Sequence, residues 1–155
     1  MYYNMDDWKN PRTHNSISRL TVAGRYAPYI SAYPLALDVV LPVFSWAIVY
    51  RNNRPLTFIN HLTIKQLQSP VFVQSSPKTN QFIALQDTIV FGIPIRRSDH
   101  LRVEESNLQD LKISSQMLSR EIQNRRVTFA LYHLDSLNLI HYEKDSFRQI
   151  FESFR

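Results

Sequence analysis

Histidine is the side chain best suited to moving protons near neutral pH. This chain has five: His14, His61, His100, His133 and His141. None lies in a His-Glu-x-x-His arrangement, and no pair has ligand spacing on a helix, so no zinc site is indicated. His133 and His141 could face each other across a hairpin, but two imidazoles without a third ligand make a poor metal site. The chain has no cysteine, which excludes disulfides and cysteine-ligated zinc or iron–sulfur clusters. Gly-x-Ser-x-Gly is absent, and Gly24 and Gly92 are the only glycines, too few for a phosphate-cradling loop. No catalytic residue, metal or cofactor is assigned.

The cations carry more. Arg51, Arg54, Arg96, Arg97, Arg125 and Arg126 fall at the ends of expected strands, where paired guanidiniums could form one phosphate-binding rim. Lys9, Arg12, Arg19 and Arg25 make the middle of the N-terminal stretch basic, after Asp6 and Asp7. A net charge of +5 favours nucleic acid or anionic lipid as partner. A solvated basic surface is the plainer alternative. No RNA-recognition signature with paired strand aromatics is present. One enzymatic reading exists. His61-Leu62-Thr63-Ile64 resembles the His-apolar-Ser/Thr-apolar signature of two-histidine phosphoesterases, and His14-Asn15-Ser16-Ile17 is a weaker second copy. Paired imidazoles would there serve as base and acid.

The elements that must position these residues follow from pattern. The 155 residues suit one domain. Val43–Tyr50 reads as a central strand, apolar on both faces. Arg51 to Arg54 break the run, and Pro55 should end ladder pairing. A helix is expected over 58–68, capped by Thr57 or Asn60, with Ile59, Leu62 and Leu67 on one face. Residues 81–97 are β-like, either a hairpin turning at Gln86-Asp87 or one bent strand with Gly92 and Pro94 at a bulge. Residues 98–118 are polar and read as a long surface loop with a short helix near 106–111. Residues 126–134 and 137–142 look like a hairpin joined at Asp135-Ser136. Asp145 or Ser146 should cap a last helix whose Phe147, Ile150, Phe151 and Phe154 form an apolar stripe facing the core. Residues 1–37 read as a flexible basic tail, and 38–155 as a single core domain. Trp8 and the tail tyrosines suit a lipid headgroup boundary.

The sequence resembles the matrix proteins of rhabdoviruses, of the vesiculovirus type. Arg51, Asn53, Arg54, Pro55 and Leu56 match an Arg-x-Asn-Arg-Pro-aromatic/apolar run that follows the family's first core strand. Residues 83–92 are similar to the apolar segment beyond it, and 128–151 to the strand and helix regions near its C-terminal end. Pro-Pro-x-Tyr and Pro-Ser/Thr-Ala-Pro motifs are absent, whereas Tyr33, Pro34 and Leu37 fit a Tyr-Pro-x(n)-Leu late domain.

That resemblance implies an α+β fold: a small, twisted, mainly antiparallel sheet packed with two or three helices, behind a flexible basic N-terminal tail. It implies a non-enzymatic viral assembly protein. Its partners would be the anionic inner leaflet of the membrane, the viral nucleoprotein–RNA complex, further copies of itself and a host membrane-scission adaptor. It would lie under the virion envelope, in the host cytoplasm and on the inner face of host membranes. An open-ended homo-oligomer needs a heterologous contact. Tyr29, Ile30, Tyr33 and Leu35 are the expected docking residues, with Leu101 and Val103 on the receiving surface. The competing readings are a nucleic-acid-binding module, a jelly-roll movement or capsid protein, and the phosphoesterase.

Overall fold

A computed structural model describes residues 6–76, 79–122, 127–133, 135–140 and 142–154. In chain order the elements are α1 (Leu20–Tyr26), a 3-10 turn (Ala27–Tyr29), β1 (Val39–Pro42), β2 (Ser45–Arg51) and β3 (Arg54–Asn60). A second 3-10 turn (Ile64–Leu67), β4 (Phe72–Gln74), β5 (Gln81–Ala84), β6 (Thr88–Val90), β7 (Ile93–Ile95) and β8 (His100–Glu105) follow. Then come α2 (Leu108–Ile122), β9 (Phe129–Tyr132), α3 (Ser136–Leu139) and α4 (Lys144–Ser153). The class is α+β, as expected, with a mainly antiparallel five-stranded sheet and four α-helices among the described residues. The chain divides into two units: residues 7–15 with 45–105, and residue 6 with 16–44 and 106–155. The stretch expected as a tail is therefore shared between them, and α1 lies within it.

The sheet unit has strand order β3-β2-β8-β5-β4. As expected, β2 is interior and nearly all buried. One sheet face, with Ala47, Val49, Leu101, Val103 and Phe82, joins Ile59, Leu62 and Leu67 in an apolar core. Alternation turns Trp46, Ile48, Tyr50, Arg102 and Glu104 to the opposite face. There Arg102 and Glu104 are 1% and 0% exposed. Arg102 Nε donates to Glu104 Oε1 at 2.8 Å, Nη1 to the Asn10 carbonyl at 2.5 Å and Nη2 to the Trp8 carbonyl at 3.0 Å. The guanidinium also lies 5.3 Å from the Tyr50 ring centre, and the indole of Trp46 donates to Glu104 Oε2 at 2.7 Å. Residues 8–10 are thus fastened to the sheet by their own carbonyls.

Four expectations fail around this sheet. The 58–68 helix is absent: β3 runs to Asn60, and only the 3-10 turn at Ile64–Leu67 is helical. The cause lies in Asn52 and Asn53, both with positive φ (52° and 60°), which turn β2 directly into β3 as a two-residue hairpin. Pro55 stays in the ladder opposite Tyr50, beside a register shift. The surface loop expected over 98–118 is instead β8 and most of α2. Leu101 and Val103, expected on a receiving surface, are 1% exposed in the core, which removes them from any contact between copies.

In the helical unit, β1 pairs with β9 in parallel register, Val39 opposite Phe129 and Pro42 opposite Tyr132. Leu41, Val43, Leu111 and Ile150 form the core there, with Phe147 and Tyr142 packed against it. The hairpin expected after residue 126 does not form. The Asp135 side chain accepts the Asn138 N–H and caps α3, which replaces the second strand. α4 begins one residue before Asp145, its N-cap residue being Glu143. Ile150 and Phe147 face the core, as the stripe implied, whereas Phe151 lies at the margin with its ring edge-on to Phe129. The jelly-roll alternative fits poorly with the fifteen-residue α2 and the ten-residue α4.

Candidate functional site

One end of the five-stranded sheet collects arginines. The Asn52-Asn53 turn sets Arg51 opposite Arg54 across the β2–β3 hairpin. β8 begins beside it, His100 opposite Tyr50, so the β7–β8 connection carrying Arg96 and Arg97 abuts that turn. Asp99 ties the two together. Its carboxylate takes Arg51 Nε at 2.8 Å and Nη2 at 2.7 Å in a bidentate pair, and it accepts the Arg96 N–H at 2.8 Å. Burial opposes the charge on Asp99, but these donors outweigh it and hold the carboxyl below its ordinary range. Asp87 Oδ1 accepts the Arg97 N–H at 2.7 Å. Arg54, Arg96 and Arg97 themselves are exposed.

Four arginines thus meet two aspartates at this end. Arg51 belongs to the scaffold, since Asp99 holds the Nε–Nη2 edge of its guanidinium. Arg54, Arg96 and Arg97 are exposed, and the Arg96 and Arg97 N–H groups are anchored by Asp99 and Asp87. Guanidinium forks match phosphate oxygens in bidentate geometry. Of the six arginines expected in one rim, Arg51 and Arg54 are cross-strand partners, and Asp99 joins Arg51 to the Arg96 N–H. Arg125 and Arg126 lie outside the described residues.

The other expected cations are elsewhere. Lys9 and Arg12 are exposed on the segment that covers the Arg102 face, Lys9 lying 5.5 Å from the Trp8 ring centre. Arg19 and Arg25 belong to the helical unit, where Arg19 pairs with Asp6 at 2.6 Å. Tyr29, Tyr33, Pro34 and Leu35 are exposed. With Tyr26, Ile30 and Leu37, Tyr29 and Tyr33 wall an apolar cleft of about 390 Å³ that Met117, Leu118 and Ile122 of α2 close.

The phosphoesterase tetrapeptide takes a structural part. His61 has φ of 62° at the end of β3 and donates its N–H to the Ser45 carbonyl at 2.9 Å. The Thr63 hydroxyl lies 2.9 Å from Gln66 Oε1, within a capping box that opens the second 3-10 turn. His133 sits 3.6 Å from Asp135 and His141 lies outside the described residues. Among the described residues no group of three or more His, Asp or Glu side chains is placed to hold a metal ion.

The buried Arg102–Glu104 pair escaped the sequence reading. The signal was there: His100–Glu105 alternates Leu101 and Val103 with Arg102 and Glu104, a period of two. Comparisons of the chain with protein-family models, with curated proteins and with solved structures find no match.

Proposed function

We propose that this chain is a structural assembly protein of the rhabdovirus-matrix kind, which binds anionic membrane and nucleocapsid and associates with itself. The observation that carries the reading is the rim of Arg54, Arg96 and Arg97 around the Arg51–Asp99 pair. The five matched residues behind the resemblance, within Arg51 to Leu56, include the turn that carries Arg51 and Arg54. An α+β fold and a charge of +5 are in keeping. Tyr33 and Pro34 are exposed, as a late-domain peptide that recruits a scission adaptor requires. Self-association falls to the exposed Tyr29, Tyr33 and Leu35, without the receiving surface first expected.

Co-sedimentation of the full chain with phosphatidylserine-containing and with pure phosphatidylcholine vesicles, with and without RNA, tests this. Binding should need the anionic lipid and weaken as salt rises, each cation near the surface contributing about 1 kcal/mol. Replacing Arg54, Arg96 and Arg97 together by glutamine should abolish most of it. Binding to RNA alone, with none to anionic vesicles, would transfer the rim to the nucleic-acid reading. Binding to neither would remove the proposal.

A further inference from the structure

We infer that the β6–β7 hairpin enters the lipid interface, its tip among the upper acyl chains and Arg96 and Arg97 at the level of the phosphates. The inference rests on the membrane reading above and assigns the element that does the inserting. The hairpin has two unlike faces. Val90 and Ile93 pack against the core of the sheet unit, and Ile95 is buried there, so the element is held firmly. On the other side Ile89 sits opposite Pro94 and is 72% exposed, and Phe91 at the turn is 61% exposed. Leu85, just before the hairpin, is half exposed as well.

The turn residues sharpen the point. Phe91 and Gly92 both have positive φ, 46° and 80°. Such a two-residue turn ordinarily takes Asn, Asp or Gly at its first position. A bulky aromatic in the left-handed region is an outlier. Here it is also held out in solvent, so neither backbone preference nor burial within the sheet unit accounts for it. Strain of this sort at an exposed position points to a use outside the fold.

Charge and length select the partner. The strand leaves the apolar tip and reaches Arg96 and Arg97 within four or five residues, roughly 13–17 Å of extended chain. Interfacial segments bury their apolar face roughly 5–10 Å into the headgroup and acyl boundary. A tip at that depth brings the arginines, with their long flexible stems, to the phosphate layer, where a cation is favoured. Asp87 Oδ1, bonded to the Arg97 N–H, closes the neck between tip and rim. The tip is exposed, and β7 leads from it straight to Arg96. An anionic bilayer, which yields to a knob and carries charge of the right sign above it, suits both features.

The test uses the full chain and vesicles of phosphatidylcholine with and without phosphatidylserine. In Phe91→Trp, emission should shift to the blue on adding anionic vesicles, and lipids brominated high on the acyl chain should quench it beyond the level shown by the parent. The double variant Ile89→Ser/Phe91→Ser should keep its melting temperature, since both side chains are exposed. Its vesicle affinity should fall by at least about tenfold. If the parent binds anionic vesicles while the tryptophan stays unshifted and the serine variant binds equally well, the hairpin assignment is wrong and the membrane function stands. If the parent binds no vesicles, both fall. If the serine variant keeps vesicle binding but loses concentration-dependent oligomers in sedimentation, the knob is a protein contact, which also overturns the inference.

Discussion

The two units bury their polar groups in opposite ways. In the sheet unit a full ion pair, Arg102 with Glu104, lies under the segment 7–15, its remaining donors given to the Trp8 and Asn10 carbonyls. In the helical unit the buried polar side chains include Ser114 and Ser115 of α2 and Ser146 of α4, all small and uncharged. Ser115 Oγ donates to the Ile150 carbonyl at 3.0 Å. Ser115 thus ties α2 to α4 beside the core that Leu111 and Ile150 share. The ion pair instead makes position matter. A one-residue slip of β8 would bring both charges into the apolar core, and residues 8–10 can dock only where their carbonyls meet the guanidinium. We take the pair as a register and docking device, because buried pairs add little net stability over apolar replacements.

Breaking the pair should give the largest effect. Arg102→Met strands a buried carboxylate and should destabilise the chain by about 3–5 kcal/mol in urea titration. Arg102→Met/Glu104→Leu should recover most of that loss, yet leave residues 7–15 open to proteolysis. A double variant as unstable as the single one would mean that the pair stabilises outright and that the contrast drawn here is wrong.

The helical unit should respond to volume. Ile150→Ala removes a fully buried side chain and should cost about 2–4 kcal/mol. Phe151→Ala, at a residue 43% exposed, should cost about 1 kcal/mol, mostly through lost contact with Phe129. Equal losses would place Phe151 in the core after all.

Acid and alkali should act on the sheet unit with the smallest effects. The Tyr50 hydroxyl, desolvated by burial and only partly relieved by Arg102, is pushed up to about 12. Its folded pKa lies above its unfolded value near 10, so its stabilising effect is whole below pH 10 and lost as pH rises to about 12. Asp99 has the reverse sign. Its depressed folded pKa gives stability that is present above the unfolded value, about 4, and is lost as pH falls through the folded one. Melting curves against pH should therefore lose the alkaline limb in Tyr50→Phe and part of the acid limb in Asp99→Asn.

Some of this was legible in the residues alone. β2 announced itself through apolar faces on both sides, and α4 through Phe147 and Ile150 at helical spacing. Arg51 and Arg54 were read at strand ends, and they face each other across the β2–β3 turn. β8 was hidden because half of its residues are charged, and charge in a sequence reads as surface until a partner is known. α2 was hidden for a related reason: its buried positions include Ser114 and Ser115, so the apolar period is broken. The β1–β9 pair joins residues some ninety positions apart, and parallel pairing leaves no local turn to find. The Asn52-Asn53 turn was readable, since asparagine tolerates the left-handed region. The helix expected beyond it obscured the hairpin.

The parallel pairing of β1 with β9 also bears on the order of events during synthesis. Every strand of the five-stranded sheet, and the segment that covers its charged face, has been made once Glu105 is in place. β1 must then wait roughly 27 further residues for β9, and Val43 and Leu41 roughly 45 for Ile150, about 2–9 s at ordinary elongation rates before that core can close. Through the first part of that interval the nascent chain carries an apolar strand with no mate, and through all of it an open core. This makes the emerging helical half the point at which a chaperone has most to cover, and the point at which a stalled ribosome would release an aggregating fragment.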